Sequence, residues 1–205
     1  MNRARSTWPR LTPFALALGT LALCVACRAN RGAPAATKGA AGPSDAQFTP
    51  LEVAENGCTS TGPERCFDAT DDNCNGVIDE GCGVETGAVQ FVIAWEPAGV
   101  DVDLLVTDPG GELAEVGRPL ASGLVKQRDC PGRSGECRGQ NFENVYLDAG
   151  EGMRGNYKVR VVLESLGGES PPVRVRFGAR VGGRSYGVSV RLERVGTGYE
   201  ASFVL

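Results

Sequence analysis

From about residue 85 to the end of the chain, apolar and polar positions alternate with a period of two. Val89, Phe91, Ile93 and Trp95 interleave with Gln90, Val92, Ala94 and Glu96. Val100, Val102, Leu104 and Val106 interleave with Asp101, Asp103 and Leu105. The same period returns in Tyr157/Val159/Val161/Leu163, Val173/Val175/Phe177/Ala179/Val181, Tyr186/Val188/Val190/Leu192 and Tyr199/Ala201/Phe203/Leu205. This is the signature of strands with one buried face. Glycine and proline cluster between the runs, and Val181-Gly182-Gly183-Arg184-Ser185 reads as a hairpin turn. Arg174, Arg176 and Arg191 fall on the face opposite the apolar set, as half-solvated antiparallel strands require. No helical period competes. Roughly seven or eight strands predict an all-β fold, an antiparallel, jelly-roll-like β-sandwich with one inner layer. Trp95, Val102, Leu104, Val159, Val161, Val175, Phe177, Val188 and Val190 are the expected core.

The chain upstream is organised differently. Arg3, Arg5 and Arg10 precede an apolar stretch from Leu11 to Ala22, too short for a standard spanning helix. It ends in Leu23-Cys24-Val25-Ala26-Cys27-Arg28, which reads as a lipoprotein signal over residues 1–26 with lipid on Cys27. The small residue before Cys27 fits better than Leu23 before Cys24, and a plain secretory signal is the other alternative. Arg28 is not the aspartate usual for inner-membrane retention, so the expected address is the outer membrane of a bacterial envelope, with secretion as the alternative. Residues 27–56 are rich in Ala, Gly, Pro, Thr and Ser and read as a flexible tether. Residues 57–84 form a Cys-rich module, and residues 85–205 the sandwich.

Charge narrows the partners. The chain holds 21 basic and 25 acidic residues; the leader takes three arginines and no acid with it, leaving 18 against 25 and a formal charge of −7. That balance argues against nucleic acid and against electrostatic attachment to anionic lipid. The expected attachment to membrane is the N-terminal lipid. Six cysteines remain besides Cys24 and Cys27: Cys58, Cys66, Cys74, Cys82, Cys130 and Cys137. In an exported chain an even count reads as disulfides. Cys130 and Cys137 are close enough to staple one loop; the other four allow three connectivities.

The module carries the clearest chemistry. Asp71, Asn73 and Asn75 place oxygen donors at alternate positions, Gly76 permits a sharp turn, and Asp79 and Glu80 follow. This is the first half of a calcium loop, with Asp71, Asn73, Asn75, Asp79 and Glu80 as side-chain donors and Val77 through its carbonyl. Cys82 stands where a complete EF-hand places its bidentate glutamate, so Asp79 and Glu80 are the expected substitutes, with Asp68 or Asp72 to be borrowed. Zinc fits less well, because cysteines spaced by eight do not supply CxxC pairs. The bland alternative is a solvated acidic turn between disulfides. The run from Cys66 to Cys82 resembles the short metal-binding motif of the MopE-like group, C-x-D-x-x-D-D-N-C-D/N-G-x-x-D-E-G-C, found in secreted bacterial proteins. That resemblance implies metal binding but not copper, since the chain has no histidine.

A second resemblance covers most of residues 88–195. Ile93-Ala94-Trp95, then Asp101-Val102-Asp103-Leu104 through Asp108-Pro109-Gly110, then Glu143-Asn144-Val145-Tyr146 and Gly155-Asn156-Tyr157-Lys158-Val159 are similar to the YfaP-like family, whose function is unknown. The D-x-D-L strand also occurs in secreted pre-peptidase C-terminal domains. Neither comparison supplies a catalytic residue. Asp101, Asp103, Asp108 and Glu143 form a candidate second metal site, or solvent-facing polar positions. Residues 126–138 read as an inserted surface loop carrying Lys126, Arg128, Arg133, Arg138 and the short disulfide.

Without histidine, Ser-His and Cys-His catalysis is excluded. The glycine-rich segments lack a P-loop lysine. The expectation is a non-enzymatic, envelope-anchored lipoprotein with calcium in its Cys-rich motif and a sandwich that binds an envelope protein or glycan. The alternatives are an enzyme accessory or weak hydrolase using Asp101, Asp103 and Glu143, and a structural envelope component with no specific ligand.

Overall fold

The computed structural model describes residues 47–55, 58, 60–131, 137, 139–147 and 152–205. Cys27, the leader, most of the tether, Arg133 and Arg138 lie outside the described residues. Nine strands follow one another: β1 (Gln47–Pro50), β2 (Val89–Glu96), β3 (Asp101–Thr107), β4 (Leu124–Arg128), β5 (Phe142–Leu147), β6 (Asn156–Ser165), β7 (Val173–Val181), β8 (Arg184–Leu192) and β9 (Thr197–Val204). They form two sheets, ordered β1-β9-β6-β3 and β4-β5-β2-β7-β8. The fold is an all-β sandwich, and the described residues contain no helix.

The period-two runs become strands because each supplies a continuous apolar face to the layer between the sheets. Phe91, Ile93, Val102, Leu104, Val161, Leu163, Phe177 and Leu192 are almost wholly buried there. Of the expected core, Val188 is partly buried and packs against the rest, which is buried. Phe203 gathers Phe91, Phe177 and Tyr186 at ring-centroid distances of 5.3, 6.0 and 5.4 Å. Gly182 and Gly183, at φ 59° and 83°, make the β7–β8 hairpin turn that the sequence predicts.

Two segments depart from the expectation. Gln47–Pro50, inside the expected tether, runs parallel to β9 as an edge strand. Arg160 lies 4.5 Å over the Phe48 ring, and Leu51 and Val53 pack against the core. The tether is therefore ordered where it first offers large apolar side chains. Second, residues 126–128 belong to β4 rather than to a surface loop. Lys126 and Arg128 are both buried.

The Cys-rich module is folded onto the outer face of the five-stranded sheet. Ala69, Ile78 and Val84 join Val92, Ala94 and Phe142 in a second apolar cluster, with Phe67 against it. The sheet thus provides the core that so short a segment cannot make alone. Gly178 of β7 makes the approach possible: a Cβ there would lie 2.6 Å from the Ala69 carbonyl oxygen. The Phe67 and Phe142 rings meet edge to face at 5.5 Å, with the Arg128 guanidinium over both. Gln90 donates to the Ile78 carbonyl (3.2 Å), and Asn144 to the Glu85 carbonyl (2.8 Å).

Candidate metal centres

The module is wound by disulfides and by left-handed turns. Cys58 pairs with Cys74 and Cys66 with Cys82, so two bridges of sequence separation 16 interleave. Each loop closure of that length removes about 3 kcal/mol of unfolded-chain entropy. Phe67, Ala69, Cys74 and Asp79 all have positive φ, and they are the non-glycine residues among those described that do. Such turns point successive amides the same way and make a nest for an anion. Asp79 fills one: it accepts from the Phe67 amide, from Asp68 (3.2 Å) and from Ala69 (3.1 Å). Burial drives its carboxyl up to about 7 while these amides pull it down.

Asp72 is similarly committed. Thr61 donates to it at 2.8 Å, and the Arg65 guanidinium at 3.1 and 3.2 Å. Burial pushes this carboxyl up, but Arg65 and Thr61 outweigh burial and hold it below its usual range. Glu64 closes the loop from below, a role sequence reading missed. One oxygen accepts from Asp72 (3.1 Å) and Asn73 (3.3 Å), the other from Asp79 (2.8 Å). Its only sequence signal is an acid just before the Arg65-Cys66 pair.

The remaining expected ligands come together. Asp71 accepts from the amides of Asn75 (3.1 Å) and Gly76 (2.8 Å). Gly76, at φ 83°, turns the chain back over the Asp71 carboxylate. Asn73 Oδ1 accepts from the Asn75 amide (3.0 Å), and Asn75 Oδ1 from the Val77 amide (2.9 Å). The side-chain amides of both asparagines reach the same Glu80 oxygen, each at 2.5 Å. The second Glu80 oxygen is buried without a hydrogen-bond partner. Asn73 and Asn75 therefore meet Glu80 across a tight turn whose backbone amides hold Asp71, and Asp79, bound to the 67–69 amides, does not belong to that set. The carboxylate oxygens of Asp71 and Glu80 and the Oδ1 atoms of Asn73 and Asn75 are of the kind that suits a hard cation; the amide nitrogens that face Glu80 are not ligands.

The second acidic cluster is built by the sandwich. Asp103, Asp129 and Glu143 bring carboxylate oxygens within 4.8 Å of one another. Asp101 and Asp103 share a face of β3 and are partly buried. Glu143 lies opposite Ile93 on the inner side of β5 and is fully buried. Its oxygens accept the amides of Leu104 (2.7 Å) and Cys130 (3.1 Å). Because β3 is an edge strand, Glu143 satisfies an amide there and ties the two sheets together. The Lys126 ammonium stands among the carboxylates, 2.8 Å from Glu143 and 2.9 Å from Asp129. Burial alone would lower the Lys126 pKa, but Glu143 and Asp129 raise it above the ordinary value. Burial pushes Asp103 up to about 6. Asp108, expected here, lies in the turn after β3, where its carboxylate accepts the Glu112 amide (2.9 Å). Sequence reading missed Lys126 and Asp129 as parts of this cluster.

Cys130–Cys137 closes as expected, with Cα atoms 5.6 Å apart. Searches of protein-family models, curated proteins and solved structures find no match to this chain.

Proposed function

We propose that the chain is a non-enzymatic binding protein of the bacterial envelope, anchored by lipid on Cys27, whose Cys-rich module takes up one calcium ion. Asp71, Asn73, Asn75 and Glu80 would hold the ion through side chains and Val77 through its carbonyl. The observation that carries this reading is the convergence of Asn73 and Asn75 on Glu80, with one buried Glu80 oxygen left unpartnered. Such an oxygen costs free energy in a folded protein unless something occupies it. Calcium would supply the missing partner and neutralise the charge among Asp71, Glu80 and nearby Glu64. The resemblance to the MopE-like motif supports the same assignment. Asp79 and Glu64 would shape the loop without touching the ion.

The burial of Glu143 and its engagement by Lys126 favour a structural role for the second cluster over a hydrolytic one. A general acid or base must reach substrate, and a fully buried carboxylate paired to an ammonium does not. The test is calcium titration of the oxidised protein by calorimetry. One binding event lost in Glu80→Gln is expected; no heat at millimolar calcium would overturn the assignment.

A further inference from the structure

The uncovered part of the five-stranded sheet carries an unusual arrangement of charge. Arg174 on β7 and Arg191 on β8 are direct cross-strand partners. Arg176, two residues along the same face, pairs with Ser189. Like charges directly opposite one another destabilise a sheet. Among the described residues none of these arginines makes an ion pair. Glu96 is the register partner of Arg174 but lies beyond salt-bridge distance, and Asp68 is paired with Arg65. The chain as a whole is acidic, with a formal charge of −4, so this cationic face stands out from its surroundings.

These arginines line a groove of about 770 Å³ between the sheet and the docked module, together with the partly exposed Phe67 ring, Gln140 and Ser189. Asp68 and Glu96 line it too, so the three guanidinium groups outnumber two carboxylates there. We infer that this groove binds a carboxylated saccharide. Guanidinium groups take carboxylates in bidentate pairs. An aromatic ring offers the flat apolar surface that sugar rings cover, and amide and hydroxyl groups can meet sugar hydroxyls. An extended acidic peptide fits less well. The groove spans the face of β2, β7 and the edge strand β8, so its lining offers side chains across several strands rather than one strand edge for a peptide backbone to join. The inference rests on the reading of the sandwich as a binding module and not on calcium.

Tetragalacturonate in EDTA is the probe, read by two-dimensional amide NMR of the oxidised protein. EDTA removes calcium, so the result stands apart from the fate of the calcium loop. Expected are shifts confined to residues around 174–176 and 189–191 and the module's 66–68 turn, with saturation below about 10 mM. The double variant Arg174→Gln/Arg191→Gln should bind at least about tenfold more weakly. Its melting temperature without ligand should be equal or higher, because the repulsion between the pair is gone. No shifts by about 10 mM, equal shifts from the neutral methyl ester, or unchanged binding in the double variant would each overturn the inference. Equal or tighter binding of a pentaglutamate peptide would overturn the assignment to a saccharide.

Discussion

Two acidic clusters sit within one folded unit, and they solve the same electrostatic problem differently. Around Glu143 the cation is part of the chain: Lys126 lies 2.8 Å from Glu143 and 2.9 Å from Asp129. Around Glu80 no ion pair forms among the described residues; the basic side chain of the module, Arg65, is spent on Asp72 and Asp68. In the first cluster Glu143 and Lys126 are buried, where removing either partner leaves an unpaired charge that is expensive. In the second Asp71 is buried but Asn75 is exposed, so the turn opens to solvent on that side. Acid content alone thus does not make a metal site. What distinguishes the two is whether the fold already provides the positive charge.

The most severe way to break that contrast is Lys126→Met. It takes the ammonium away from Asp129 and the fully buried Glu143, and the expected loss is about 3–5 kcal/mol, read by urea denaturation. A loss below about 1 kcal/mol would mean the cluster is already neutralised by protonation. Gly178→Val should come next. The new side chain meets the Ala69 carbonyl, and the expected cost is about 1–3 kcal/mol, with faster hydrogen exchange of the module's amides and little change in the core strands.

Asp103→Asn gives a smaller and oppositely signed effect. Burial raises the folded-state pKa of Asp103 to about 6, above the unfolded value of about 3.9. The folded state therefore binds more protons between those values, and stability contributed at acid pH is lost as pH rises toward 6. The amide variant should be more stable than the parent at pH 7, by on the order of 1 kcal/mol after allowance for partial exposure and the nearby Lys126, and no more stable at pH 4. Parallel melting curves at the two pH values check this.

The comparison also explains what the sequence made legible. Strands such as β2, β6 and β7 follow from alternation, because a buried face needs nothing else. β4 was hidden because Leu124-Val125-Lys126-Gln127-Arg128 looks polar, and its charges are buried only through partners from other elements: Asp129 and Glu143 for Lys126, Phe67 and Phe142 for Arg128. β1 was hidden because four residues ending in proline gain order from distant partners, β9 and Arg160 of β6. In the loop from Asp71 to Glu80, the approach of Asn73 and Asn75 to Glu80 was readable because their spacing sets it. The placement of Asp79 was not, since its partners are backbone amides at 67–69, exposed by left-handed turns that side-chain identity does not announce. The docking of the module on Val92, Gly178 and Phe142 was equally invisible, because it depends on which face of the sheet stays uncovered.

The central claim is most directly tested by calcium-dependent melting of the oxidised protein beside its Glu80→Gln variant. If the loop takes up calcium, the parent's stability rises with the logarithm of free calcium above the dissociation constant, by about 2.7 kcal/mol at a hundredfold excess. Glu80→Gln should lose most of that rise, while Asp103→Asn keeps it in full, since the Glu143 cluster already has the Lys126 ammonium. A parent melting curve unmoved by millimolar calcium, or a rise lost in Asp103→Asn and kept in Glu80→Gln, would contradict the account.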